Sequence, residues 1–294
     1  MFSEISPSFE KEKRFRDFQI WPLAATLDVK SWLENFEADH QSFALKLLDG
    51  FTYLADPIIN AMLLGAVQRL VDLDFSTPPA KSDSFFDRTL FVIVQGENPS
   101  VSDSGHIFAR KLRDKIGVAE WKITDPARAL SLADKFENIV FIDDFIGSGQ
   151  QMLHTWFRPH DFSGGTTTSF KQLSSGGKHS FFYCATVCSY KGREILSSLL
   201  PELRICAAHM LRPSDCLADV NHQIWKGDAA NCVDLLREYS RKAGYDAEDG
   251  NEEDWRGFYG QGLGLAFSHG VPDATLPVFR STKGTWQPLV RIKA

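Results

Sequence analysis

The sequence predicts an α/β protein with a mostly parallel sheet, an all-helical N-terminal region and a C-terminal segment that could form a hood. Three observations carry this prediction. Between residues 89 and 209, apolar strand-like runs alternate with helix-like stretches, and such alternation requires crossovers and a mostly parallel sheet. Ile139, Val140, Phe141 and Ile142 form a continuous apolar run, as a strand covered on both faces would. Before residue 76 the apolar residues recur at helical spacing. The chain has 294 residues with 43% hydrophobic content, enough for one large domain or a domain with an appendage.

Residues 1 to 25 are charged and then aromatic, and Phe15, Phe18, Ile20 and Trp21 could fold back as an arm. Asp28 is placed to cap a helix carrying Trp32, Leu33 and Phe36. A helix over 39–54 follows, with Phe43, Leu47, Leu48, Phe51 and Leu54 at helical spacing. Asp56 and Pro57 read as a cap and a first-turn proline, opening a helix with Ile59, Leu63, Val67 and Leu70. A Pro/Ser-rich linker over 76–84 then separates a helical region, 1–75, from an α/β domain, 85–294.

Within that domain the pattern predicts strands over 89–94, 118–123, 139–142, 180–189 and 203–209. The intervening helices fall over 105–116, 126–136 with Asp125 as cap, 150–157 and 191–200, and a further helix covers 229–242. The Gly/Ser/Thr-rich stretch 161–178 reads as a disordered surface loop, with a mobile cover over the site as the functional alternative. It is no P-loop, because His179 follows Gly177-Lys178 and no strand precedes. The acidic run 246–254 reads as solvated.

A net charge of -6 argues against a general nucleic-acid surface, so nucleic acid would be met only through a partner. No apolar run is long enough to span a bilayer, and residues 1–16 lack the apolar core of a signal peptide. Five cysteines without regular spacing suggest reduced thiols and a cytoplasmic protein. Cys184 and Cys188 sit in an apolar strand and read as small buried hydrophobes.

The chemistry concentrates where the 139–142 strand ends. Asp143 and Asp144 lie there, and in open α/β sheets ligands bind at the carboxyl ends of strands. Gly147, Ser148 and Gly149 let the backbone approach an anion, and the following helix offers its N–H groups. Paired carboxylates beside a phosphate cradle suggest a ligand with phosphate and hydroxyl groups, such as a sugar phosphate, together with a divalent cation.

The run over 140–149, with Ile139 before it, resembles the phosphoribosyl-pyrophosphate signature of type I phosphoribosyltransferases: four apolar residues, Asp-Asp, two apolar residues, two small or hydroxyl residues, then Gly. It departs at Gly147, where the family usually has Thr or Ser. It departs again at Gln150 and Gln151, where a small residue and a hydroxyl residue are usual. With the helical N-terminus and the glycine-spaced stretch 262–277, the chain resembles the phosphoribosyltransferase-like proteins of bacterial conflict systems. Those are encoded beside anti-phage components, including some retrons. The C-terminal motif departs in Ser268, which replaces a Pro, and in Asp273-Ala274, which replace Asn-Asn.

The resemblance implies a type I phosphoribosyltransferase sheet, with phosphoribosyl pyrophosphate or a nucleotide as ligand and Mg²⁺ as cofactor. Asp143 and Asp144 would hold the ribose hydroxyls and the metal, directly or through water. Ile146, Gly147, Ser148, Gly149, Gln150 and Gln151 would hold the 5′-phosphate. Asp103, Ser104, Gly105 and Arg110 would meet pyrophosphate, with Lys111 in reach. His269, Asp273 and Thr275 would form the hood over the acceptor. His269 could donate to a phosphate or act as a general base, or mark a purely structural turn. The long mobile loop usual before the signature is missing, so 161–178 or the C-terminal turn would exclude water. The implied activity is transfer or release of a ribosyl group by a toxic effector of a defence system, with defence-system partner proteins. The alternatives are a non-catalytic sensor of nucleotides or phosphoribosyl groups, and an interaction protein of a defence complex.

Overall fold

A computed structural model describes residues 7–22, 26–73, 82–97, 104–162, 166–249 and 253–291. Its first elements are helices α1 (Pro7–Asp17), α2 (Val29–Leu33) and α3 (Gln41–Asp49), strand β1 (Thr52–Leu54) and helices α4 (Asp56–Leu73) and α5 (Ser82–Asp87). Then come β2 (Thr89–Ile93), α6 (Ser104–Lys111), β3 (Ile123–Thr124), α7 (Pro126–Leu132), β4 (Asn138–Ile146) and α8 (Gln150–Phe157). They are followed by β5 (His160–Phe162), β6 (Thr166–Thr168), α9 (Phe170–Ser174), β7 (Ser180–Cys188), α10 (Tyr190–Leu199) and β8 (Leu203–Met210). The last are α11 (Ala229–Lys242), β9 (Glu253–Asp254), β10 (Gly257–Phe258), β11 (Leu265–Phe267) and α12 (Pro277–Arg280).

The chain forms two compact units: residues 59–211, and residues 1–58 with 212–294. The 59–211 unit holds a five-stranded sheet in the order β3-β2-β4-β7-β8, with every neighbouring pair parallel. Along the chain this order reverses between β2 and β4, which makes their carboxyl ends the topological switch point. One sheet face, with Ile139, Phe141, Phe181 and Tyr183, packs with Leu130 of α7, Trp156 of α8, Phe170 of α9 and Leu196 of α10. On the other face the Cys206 thiol donates to the Ala66 carbonyl of α4, and Phe85 of α5 meets Phe182 edge-on. Both faces are covered, so the sheet-centre runs Leu90–Ile93 of β2 and Ile139–Ile142 of β4 are apolar without interruption.

The other unit corrects the expected domain boundaries. The N-terminal helices and the C-terminal segment share one core, in which Trp21, Trp32, Phe43 and Leu48 pack with Leu217, Trp225, Leu236, Phe279 and Trp286. β1 pairs in parallel with β11, Thr52 opposite Leu265 and Leu54 opposite Phe267. The N-terminal region is therefore not all-helical: the expected 39–54 helix stops at Asp49, and Thr52–Leu54 is a strand. Trp21 is buried as the arm required, whereas Phe18 stands 71% exposed beside Gln19, whose φ of 56° turns the chain there.

Smaller differences have local causes. The expected 118–123 strand shrinks to Ile123–Thr124, because Glu120–Lys122 winds into a 3₁₀ turn. The 105–116 helix widens into a π-turn over Leu112–Ile116 and ends on left-handed Gly117. The described part of the 161–178 loop is ordered: β5 and β6 pair as a hairpin, and Ser169 opens α9 in a capping box with Gln172. Residues 76–81 of the linker lie outside the described residues, and its end belongs to α5. The acidic run is partly internal, since Asp254 is fully buried against Arg256 and Glu253 pairs with Arg280. Among the described residues, no helix is long and apolar enough to cross a membrane.

Candidate functional site

β4 outruns its neighbour. β2 ends at Ile93 opposite Ile142, while β4 continues to Ile146 along β7. The carboxylates thus lie inside a strand rather than at its end, which corrects the expected 139–142 boundary. The cause is β7, which pairs out to Cys188, and Thr186, whose hydroxyl donates to the Asp144 carbonyl at 2.6 Å. Beyond Ile142, β4 faces no β2 partner, and this gap is the crevice of the switch point.

The two carboxylates differ. Asp143 is 2% exposed. Its Oδ1 accepts from the Ser104 hydroxyl at 2.8 Å and from the Asp144 N–H at 2.9 Å, and its Oδ2 accepts from the Tyr183 hydroxyl at 3.0 Å. Burial, followed by the charge of Asp144 next door, holds its carboxyl well above the usual range. Burial likewise pushes the Tyr183 phenol up, with the charge of Asp143 adding to it. Asp144 is half-exposed, and its Oδ1 accepts from the Phe145 N–H at 2.8 Å.

The turn after β4 is built for close approach. Gly149 has φ 82° and caps α8 without a side chain, and a Cβ there would meet Leu196 Cγ at 2.8 Å. Ser148 is buried, and its hydroxyl accepts from the Gln150 N–H at 3.4 Å. Ile146 is buried in the sheet, so its side chain is core and only its backbone belongs to the turn. Gln150 is half-exposed and Gln151 exposed. From below, Ser189 donates to the Gly147 carbonyl at 2.6 Å while accepting from the Gly192 N–H at 2.9 Å.

Of the residues expected at pyrophosphate, Asp103 lies outside the described residues. Ser104 opens α6 as expected, but its hydroxyl is given to Asp143. Gly105 is buried, and a Cβ there would meet Ile93 Cγ2 at 2.5 Å, so close packing on the sheet is what requires glycine. Arg110 lies further along α6. Six residues along a helix are about 9 Å, and Arg110 is exposed there with its charge acting on Asp114. Lys111 is buried and donates to Asn60 Oδ1 at 2.8 Å.

His269, Asp273 and Thr275 belong to the other compact unit. His269 is half-exposed with its ring 5.3 Å from that of Phe267, and Asp273 is exposed. Thr275 is fully buried and donates to the Leu265 carbonyl at 2.6 Å. Its hydroxyl ties the turn to β11, which removes it from the expected acceptor contacts.

Residues not singled out from sequence complete the arrangement. Thr155 of α8 donates to the Gln95 carbonyl at 2.8 Å and accepts from the Gln95 N–H at 2.9 Å, and Arg158 donates to the Gly96 and Glu97 carbonyls. The loop leaving β2 is thereby strapped to the helix of the glycine turn. Tyr183 carried a readable signal, since a phenol inside an otherwise apolar strand needs a partner. The others show only through contacts with distant residues.

A half-exposed carboxylate with a glycine turn fits Mg²⁺, which favours oxygen ligands and commonly uses one or two carboxylates plus substrate phosphates. Among the described residues the grouping of three metal-ligating side chains is elsewhere, at the surface with Glu37, Asp39 and His40. A cation at the switch point would thus be held by Asp144 and by the ligand.

A parallel sheet with its carboxylates at the switch point and a glycine turn opening the next helix places the chain in the phosphoribosyltransferase-like class. More narrowly, the chain belongs to the PRTase-CE family, whose model matches residues 29–291. The match runs through both compact units, so the C-terminal segment is part of what defines the family. No curated protein matches the chain.

Proposed function

We propose that the 59–211 unit binds a phosphoribosyl ligand, phosphoribosyl pyrophosphate or a nucleotide, and transfers or releases its ribosyl group. The observation that supports this most directly is the sequence of groups along β4 and α8. Two carboxylates and a left-handed glycine turn follow one another at the switch point, with the loop from β2 strapped beside them. The α8 N-terminus and the backbone of residues 146–151 would receive the 5′-phosphate. The Asp143–Asp144 segment would address the ribose. Mg²⁺, when bound, would neutralise the pyrophosphate leaving group.

In the transfer from phosphoribosyl pyrophosphate, the bond from the anomeric carbon to the pyrophosphate oxygen breaks and pyrophosphate leaves with the electron pair; from a nucleotide, the glycosidic C–N bond breaks and the base leaves with the pair. A bond from the anomeric carbon to the acceptor forms, and the acceptor gives up its proton. With water as acceptor the ribosyl group is released. The side chains contribute position and charge rather than a covalent intermediate. The resemblance to conflict-system proteins supports a role as a cytoplasmic effector in anti-phage defence, acting with partner proteins.

Titration calorimetry with phosphoribosyl pyrophosphate and Mg²⁺ tests the binding. Saturable heat is expected, and its absence for well-folded protein would remove the reading. A metabolite profile of cells expressing the protein then tests the chemistry. A sensing role without turnover is the second reading. It is favoured by the turn itself, where Ser148 is buried and Gly147, Gln150 and Gln151 bring no hydroxyl. Binding with an unchanged metabolite profile would select it.

A further inference from the structure

We propose that Asp143 is a positioning residue and that Asp144 alone of the pair meets the ribose. The inference rests on the phosphoribosyl reading and divides the labour within it. In the structure, the Asp143 carboxylate is turned into the protein. Its two oxygens accept three hydrogen bonds, from Ser104, Tyr183 and the Asp144 backbone, and it is 2% exposed. Three of the roughly four acceptor positions of a carboxylate are thus taken inside the protein, and burial keeps the remainder from an outside hydroxyl. A buried carboxylate is costly unless it is satisfied, and these donors satisfy it.

What Asp143 holds is informative. Ser104 is the first residue of α6, on the connection that leaves β2. Tyr183 lies on β7, and is itself 1% exposed. Asp143 therefore joins three segments around the switch point: the start of α6, the middle of β7 and its own strand. Its bond to the Asp144 N–H also fixes the peptide from which the second carboxylate projects. Thr186 holds the other end of that residue through the Asp144 carbonyl. Asp144, half-exposed, is clamped by its backbone on both sides. That is how a ligand-contacting carboxylate is held within the narrow tolerance a site requires.

Two residues thereby acquire roles. Tyr183 and Ser104 are positioning residues that act through Asp143. The asymmetry distinguishes this chain from a site in which both carboxylates share the ribose hydroxyls.

The test compares amide and alanine variants by calorimetry with phosphoribosyl pyrophosphate and Mg²⁺. Asp143→Asn keeps an oxygen for Ser104 and the Asp144 N–H, and offers an amide N–H to the Tyr183 oxygen. It should bind within about threefold of wild type, while Asp143→Ala should lose about tenfold or more. Asp144→Asn should lose at least tenfold with no such rescue. Tyr183→Phe should weaken binding about tenfold with its melting curve still cooperative, which keeps the test alive where Asp143→Ala does not fold. Equal losses in Asp143→Asn and Asp144→Asn, or an unchanged affinity in Tyr183→Phe, would overturn the assignment. Absence of binding by the wild type would instead overturn the phosphoribosyl reading beneath it.

Discussion

Gly192 presses against Gly147: a Cβ on Gly192 would stand 2.3 Å from the Gly147 carbonyl oxygen. This contact sets how closely α10 approaches the glycine turn, and Ser189 completes it by donating to the same carbonyl. Glycine inside a helix is otherwise unfavourable by about 1 kcal/mol relative to alanine.

Gly192→Ala therefore sets two effects against each other. Helix propensity favours alanine, but overpacking of this kind costs about 1–3 kcal/mol. Because the obstructing atom is backbone, the steric term should win. We expect a lower urea midpoint and weaker binding of phosphoribosyl pyrophosphate. A variant as stable as wild type would show that α10 can withdraw from the turn.

Thr155→Val should loosen the loop that leaves β2. The valine keeps the shape but leaves the Gln95 N–H and carbonyl without the bonds that Thr155 makes to both. A loss of about 1–3 kcal/mol is expected, with faster amide exchange at Gln95. Retained protection of that amide would contradict the strap.

Trp32→Ala should destabilise the unit that joins the chain's two ends. Trp32 is fully buried, stacks on Phe279 at 5.6 Å and donates to the Val278 carbonyl at 2.7 Å, 246 residues along the chain. Truncating a buried tryptophan costs about 3–5 kcal/mol. Trp32→Phe should cost less, since it keeps a ring against Phe279 and loses the hydrogen bond and only part of the buried volume. Chemical denaturation followed by fluorescence measures both.

Asp28 gives a pH dependence. The Ser31 N–H donating to its carboxylate, helped by the Ser31 hydroxyl, Arg291 and Arg16, holds the Asp28 carboxyl below its usual range. A depressed carboxyl stabilises the fold fully above its unfolded value of about 3.9, and that contribution fades as pH falls through the lower folded value. Asp28→Ala should thus cost about 1 kcal/mol at pH 7 through the lost cap, and progressively less below pH 4. Stability curves for the two proteins that stay parallel down to acid pH would refute the link.

Much of the 59–211 unit was legible beforehand. The helix over 150–157 was found at its predicted bounds, and Asp125 caps α7 by accepting from the Arg128 N–H. These features depend on neighbours within a turn or two, and such signals are written side by side in the sequence. The carboxylate pair and the glycine turn were legible for the same reason. Lys111 goes to Asn60 instead, because helical phase and burial, rather than nearness in sequence, decide which way a side chain points. The hydroxyl of Ser104 was assigned to a ligand because its partner, Asp143, lies 39 residues away.

The sequence by itself determined the alternation of strands and helices, the carboxylates of β4 and the glycines that open α8, since apolar period, cap chemistry and backbone freedom are local properties. Only the tertiary structure decided that Asp143 turns inward to Tyr183 and Ser104 while Asp144 stays half-exposed. It alone decided that β1 pairs with β11, so that the chain's ends share a core. Both outcomes depend on which distant groups the parallel crossovers bring together, and burial is settled by those neighbours and not by the residue itself.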